Sequence, residues 1–233
     1  MGDTDIFSKE CVLTPEITNI GSYDKGWRLL DNMWVLSKAG SPLEIWSEIF
    51  TSKLAQELNL SAVDYKCVDG FSFCHNFVPR NWDFEPAKSL VGDDNSNKTN
   101  LPVMERLGLV KPYLDILFMD AIVRNGDRHE FNYGFLTNEQ GKINLATNFD
   151  NNMAMFWNGI PLNLERDDVM VRDFIDAIKI CDYSIPHLNS QIVENAYHHA
   201  ISDCKFIELP QIPIRAVVDF CMNAYNRIYK YSL

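Results

Sequence analysis

Along the first third of the chain, apolar and polar positions change over short distances, the texture of half-buried strands. Residues 27–30 and 33–37 are aromatic and aliphatic runs separated by Asp31-Asn32, which reads as a hairpin turn, and residues 63–68 and 71–77 repeat the arrangement about Asp69-Gly70. Between the two pairs, Ser41-Pro42 opens a segment in which Trp46, Phe50, Leu54 and Leu58 recur every four residues, one apolar face of a helix. A small antiparallel sheet with one helix packed on it is expected. After Pro79 the texture changes. Residues 92–100, GDDNSNKTN, are polar, rich in turn formers and without an apolar anchor, and read as a mobile loop. Residues 111–124 read as a buried helix through Leu114, Leu117, Phe118, Ala121 and Ile122, and further helices are expected over 167–180, 190–204 and 214–231. In the last of these, Phe220, Tyr225, Ile228 and Tyr229 read as core. The pattern predicts an α+β chain in two lobes, a small β-rich lobe over residues 1–78 and a larger, mostly helical lobe over 79–233, with a ligand cleft between them.

Composition sharpens this picture by exclusion. With 46% hydrophobic and 23% charged residues the chain has an ordinary globular balance. A net charge of −11 repels nucleic acid backbones and anionic membranes, so neither is expected as a partner. No run approaches the length of a membrane span and the first ten residues are acidic and polar, which points to the cytoplasm. The six cysteines are dispersed without a Cys-x-x-Cys pair and read as reduced, structural thiols. A zinc reading fails for want of ligands at the right spacing around His198-His199.

The chemistry concentrates in residues 125–136, N-G-D-R-H-E-F-N-Y-G-F-L. A carboxylate five residues before an amide, held in one loop, suits phosphoryl transfer: Asp127 can orient an attacking hydroxyl while Asn132 offers an oxygen to Mg²⁺. A second carboxylate, Asp150 in A-T-N-F-D-N-N, follows one hairpin later and would be brought back beside Asn132 as a second Mg²⁺ ligand. The structural alternative is that Asp127 and Asn132 cap turns and Asp150 begins a loop.

These two segments, in this order and at this separation, resemble the HipA-like serine/threonine kinases, whose pattern reads N-x-D-R-H-x-x-N, a short hairpin, then Y/F-D. Phosphatidylinositol kinases share the D-R-H-x-x-N element. W-V-L-S-K, ending at Lys38, is similar to the strand that carries that family's ATP-binding lysine, and S-E-I-F-T-S-K-L-A-Q-E-L-N-L, residues 47–60, to its following helix. The resemblance covers residues 21–150. It implies a two-lobed kinase-like fold with ATP and Mg²⁺ as cofactors, Asp127 as catalytic base, Asn132 and Asp150 as metal ligands, Lys38 on the α- and β-phosphates and Glu48 as the lysine's partner. Against this stand blander readings: Lys38 as an exposed lysine at a strand end, and Glu48 as a solvated residue on the face away from Trp46, Phe50 and Leu54, with Glu44 as the fallback partner. His129 either contacts the terminal phosphate or braces its loop, and Arg128 is expected to pair with a carboxylate beside it. His75, Asn76 and Phe77 fall where the lobes join, which implies a backbone contact to adenine. The phosphate-covering loop would be residues 19–26, including Gly21 and Ser22, and is poorer in glycine than its protein-kinase counterpart. Ser22 is a candidate autophosphorylation site; its phosphate would add roughly two negative charges where those of ATP belong, and so inhibit.

The implied reaction is transfer of the γ-phosphoryl group of ATP to a hydroxyl, first of all on a protein serine or threonine. A lipid or small hydroxyl substrate is the alternative among enzymes, the lipid disfavoured by the lack of a basic or apolar docking surface. A catalytically silent nucleotide-binding module is the alternative of another class. The chain is shorter than full-length HipA-like proteins, which have a further region ahead of the kinase core, so an antitoxin-like partner is left open.

Overall fold

A computed structural model describes residues 25–30, 33–161, 163–204 and 207–231. Gly21, Ser22, the turn at Asp31-Asn32 and Cys11 lie outside the described residues. The alternating first third forms an antiparallel sheet of β1 (Lys25–Leu30), β2 (Met33–Lys38), β3 (Lys66–Val68) and β4 (Phe71–His75) in the order β1-β2-β4-β3. In its register Lys25 stands opposite Lys38, and Lys38 in turn opposite Ser72. The strand expected over 63–68 is shorter at its start because that stretch has another partner: Val63 N donates to Asn148 O at 2.9 Å and Asn148 N to Ser61 O at 3.2 Å. These bonds tie the small sheet's connection to the segment leading into Asp150.

Helix α1 (Pro42–Glu57) starts where its sequence says it should. Ser41 is the N-cap, Pro42 follows it, and Ser41 and Glu44 close a reciprocal capping box. The expectation of one buried face needs correction, since Glu44 through Ala55 are all buried. The sheet covers one side of α1 and α6 (Ser190–Asp203) covers another, so polar residues on the second face are enclosed as well.

Two short elements were not expected. β5 (Trp82–Pro86) pairs with β6 (Gly134–Asn138), which pairs with β7 (Ile143–Leu145), and α2 (Lys88–Val91) follows β5. The β5 to β6 approach is so close that a Cβ at Gly134 would lie 2.3 Å from Glu85 O and 2.8 Å from the Phe84 ring. The polar stretch 92–100 is also corrected: it enters α3 (Asn97–Leu107), and Asn100 is fully buried. Its anchor is polar. Asn100 Nδ2 donates to Asn95 Oδ1 at 3.1 Å and to Tyr113 Oη at 2.8 Å, and Tyr133 Oη donates to Asn95 Oδ1 at 2.8 Å.

The remaining helices, α4 (Val110–Val123), α5 (Val169–Ile178), α6 and α7 (Ile214–Lys230), fall within two residues of their expected limits at each end. On α7, Phe220, Tyr225 and Ile228 are buried, whereas Tyr229 is 48% exposed and is not core. One hydrophobic core runs through both lobes. Trp46 of α1 stacks on Phe50 at 5.1 Å and on Phe156 at 6.4 Å, and Phe156 meets Phe220 of α7 edge-on at 5.1 Å. The five described cysteines are free thiols. No helix among the described residues is long and apolar enough to cross a membrane.

Candidate active site

Lys38 ends β2 with 6% of its surface exposed, which removes the reading of an exposed strand-end lysine. Its Nζ hydrogen-bonds Asp150 Oδ1 and lies 3.8 Å from Glu48 Oε1. Glu48 is 1% exposed, so the solvated reading is corrected too: the enclosure of α1 turns its polar face toward Lys38. Ser72 Oγ donates to Glu48 Oε2 at 2.9 Å and Asn151 N to Oε1 at 3.3 Å. Glu44, the fallback, caps α1 instead.

Two carboxylates thus share one lysine in a nearly dry setting, and their titrations part. Burial alone would push the Asp150 carboxyl up, but Lys38 outweighs it and holds it below the ordinary carboxylate range. For Glu48, burial and the neighbouring Asp150 prevail over Lys38, and its pKa is raised. Burial opposes the charge on Lys38, yet Glu48 and Asp150 together raise its pKa. Lys25, across the β1–β2 pair, is pulled down by burial while Asp150 acts in the opposite direction.

Asp150 has φ +58°, a left-handed backbone that Asp tolerates better than most residues. Both neighbours fix it there. The Phe149 carbonyl accepts from Arg128, Asn151 N donates to Glu48, and Asp150 N itself donates to Tyr65 Oη at 3.4 Å.

The loop after α4 carries Asp127 and Asn132. Asn132 Nδ2 donates to Asp127 O at 2.7 Å and lies 3.4 Å from Asp127 Oδ2. With the amide nitrogen engaged there, Asn132 Oδ1 is the atom left to meet a cation, and it and the Asp150 carboxylate are the oxygens that could hold Mg²⁺.

Arg128 organises this loop. It does not pair with a carboxylate beside it: the guanidinium binds Asp120 of α4 through Nε at 3.0 Å and Nη2 at 2.9 Å. Nη1 donates to Asn132 O at 2.6 Å and Phe149 O at 2.7 Å, and Nη2 to Asn148 Oδ1 at 2.8 Å and Asn151 Oδ1 at 2.7 Å. One buried cation therefore fastens the Asp127–Asn132 loop to the Asp150 segment. From the other side, Asn95 Nδ2 donates to Arg128 O at 2.6 Å.

His129 is exposed, with Nδ1 accepting from Phe131 N at 3.2 Å, a bracing contact within its own loop. At the lobe junction, Asn76 N is already bonded to Trp34 O at 2.7 Å, so an adenine contact from that N–H would have to compete with the sheet. Phe77 stacks on Phe149 at 5.2 Å, linking the junction to the residue before Asp150. His75 ends β4, opposite Val35. Sequence reasoning put Lys25 in the loop over residues 19–26, whereas it begins β1, and it missed Asp120 and Asn95. Strand register would have given Lys25 once β1 and β2 were paired; Asp120 and Asn95 had no local signal.

No protein-family model matches this chain, and no curated protein matches it in sequence. Among solved structures, it is similar to the Helicobacter pylori proinflammatory kinase CtkA, at 17% identity and a TM-score of 0.60 over 90% of this chain and 95% of that one. HipA of the Shewanella oneidensis MR-1 toxin–antitoxin system, in its complex with HipB and operator DNA, aligns at 13% identity and a TM-score of 0.48 over 100% of this chain and 68% of that one. The fold is two-lobed and kinase-like.

Proposed function

We propose that this protein is an ATP- and Mg²⁺-dependent kinase that phosphorylates a serine or threonine hydroxyl on another protein. The observation that carries the reading is the fastening by Arg128 of the Asp127 to Asn132 loop and the Asp150 segment into one assembly, beside the buried Lys38 and Glu48. The similarity in fold to CtkA supports it.

In this reading Lys38 exchanges its bond to Asp150 for the α- and β-phosphate oxygens of ATP, and Glu48 keeps the ammonium in place. Asp150 and Asn132 Oδ1 would hold Mg²⁺, which neutralises charge on the β- and γ-phosphates when bound. Asp127 accepts the acceptor hydroxyl's proton and orients the oxygen in line with the γ-phosphorus. Arg128 stays charged against Asp120 and supplies rigidity, not chemistry.

The test is transfer of label from γ-labelled ATP to protein substrates by the wild type, Asp127→Asn and Asp150→Asn. Both variants should lose transfer, Asp127→Asn by roughly 10²–10⁴-fold, the contribution typical of a positioned general base. Transfer to small hydroxyl compounds alone would replace the protein substrate, and ATP binding without any transfer would make the chain a silent nucleotide-binding module.

A further inference from the structure

Residues 151–157 are pinned into place. Met155 N donates to Val123 O at 2.6 Å and Ala154 N to Asn151 O at 3.1 Å, and Phe156 is fully buried against Trp46 and Phe220. With the start of α5, this segment frames an open cavity of about 600 Å³ that reaches Gly126, the residue next to Asp127. The cavity therefore adjoins both the proposed base and the chain leaving the proposed metal ligand.

Its wall is apolar and adaptable, formed by Met153, Met155, Trp157, Ile160, Val169 and Met170. Ile160 and Val169 leave 40% and 51% of their surfaces in water. Charge at the rim is one-sided. Asp168 is engaged by Arg166 Nε at 2.5 Å and by Val171 N at 3.3 Å, and nearby Asp167 by Arg227 at 2.7 Å. Arg124, exposed at the end of α4, lines the same cavity and makes no ion pair among the described residues.

We propose that this cavity docks the protein substrate as an extended peptide, seating a large apolar side chain that flanks the acceptor among the methionines and an acidic side chain against Arg124. The inference rests on the phosphoryl-transfer reading above and names the substrate class of that same site. A lone uncompensated cation beside an apolar wall complements an acidic and apolar peptide. An anionic bilayer would meet a chain of net charge −11 through that single cation. At physiological ionic strength the Debye length is about 8 Å, so the local Arg124 decides for a docked peptide and not the distant acidic surface. In the reaction the bond from the γ-phosphorus to the bridging oxygen breaks and one to the peptide hydroxyl oxygen forms. The hydroxyl proton passes to Asp127, and ADP leaves with the bridging electrons.

The experiment is phosphorylation of a degenerate peptide library with a central serine or threonine by the wild type, Arg124→Asn, Arg124→Asp and Ile160→Glu. Asn and Asp tolerate the left-handed backbone of residue 124 (φ +55°), and Ile160 is at the surface, so folding should be preserved. The wild type should select a large apolar residue at one flank and Asp or Glu at another. Arg124→Asn should lose the acidic preference and Arg124→Asp should turn it toward Lys and Arg, each by a several-fold change in kcat/KM with Mg-ATP binding unaltered. Ile160→Glu should weaken the apolar preference. Unchanged selectivity in Arg124→Asp, indifference of the wild type to flanking residues, or transfer only to phosphoinositide vesicles or free alcohols would overturn the groove and leave a kinase. Failure to bind Mg-ATP would overturn both.

Discussion

Two carboxylates compete for Lys38, and their opposite shifts give them opposite effects on stability. Asp150 is held below its ordinary 3.8 because Lys38 outweighs burial, so its ion pair stabilises the fold above that pH and is lost as pH falls through the depressed value. Glu48, raised above its ordinary 4.5 first by burial and then by Asp150, costs stability as it ionises, so stability falls as pH rises from 4.5 through the raised value. Glu48→Gln keeps the size of the side chain and an oxygen to accept from Asn151 N, its amide nitrogen can donate to the Ser72 hydroxyl, and it cannot ionise. Urea unfolding of both proteins at stepped pH should show the variant gaining relative to wild type across that window. A difference that stays flat with pH would refute the assignment of the raised pKa to Glu48.

Contiguity decided which of these residues the sequence revealed. Asp127, Asn132 and Asp150 sit in two short segments whose spacing is legible in the sequence, and the structure brings their loops together through Arg128. Lys25 becomes visible only through strand pairing, and Asp120 only because a buried guanidinium has room for a carboxylate from the preceding helix. Glu48 was misjudged by periodicity, which presumes that one face of a helix meets water; α1 is enclosed.

At the scale of elements, the site depends on neighbours that contribute no chemistry. The stretch 92–100 reads as mobile because it lacks apolar residues, yet Asn95 holds both Arg128 O and Tyr133 Oη. On the proposed reading Asn95 is a positioning residue. Asn95→Ala should lower kcat several-fold with the KM for ATP nearly unchanged, because it loosens the Asp127 loop and leaves Lys38 and Glu48 untouched. Equal falls in activity and in folded fraction would make its role merely structural. The β5–β6 contact is equally exacting. Gly134→Ala places a methyl 2.3 Å from Glu85 O, so the strands must part, at a cost of roughly 1–3 kcal/mol by thermal or urea unfolding. A neutral result would mean that the pair has slack.

At the scale of the molecule, the two lobes share a core, with α1 packed against both the sheet and α6. The alternation of apolar residues showed the two lobes but not this continuity, since a periodic pattern says which residues are buried and not what buries them. On the proposed reading, nucleotide binding acts by exchanging the bond between Lys38 and Asp150. A chain of charge −11 repels ATP at long range, so the proposed reading needs attraction from Lys25, Lys38 and a bound cation. Calorimetric titration of ATP with and without Mg²⁺, into wild type and Asp150→Asn, is the direct test. Mg²⁺ should strengthen binding to wild type, and Asp150→Asn should lose that dependence while binding metal-free ATP at least as well, because Lys38 is released. Absence of ATP binding, or the same Mg²⁺ dependence in both proteins, would contradict the assignment of Asp150 and Lys38 to a Mg-ATP site.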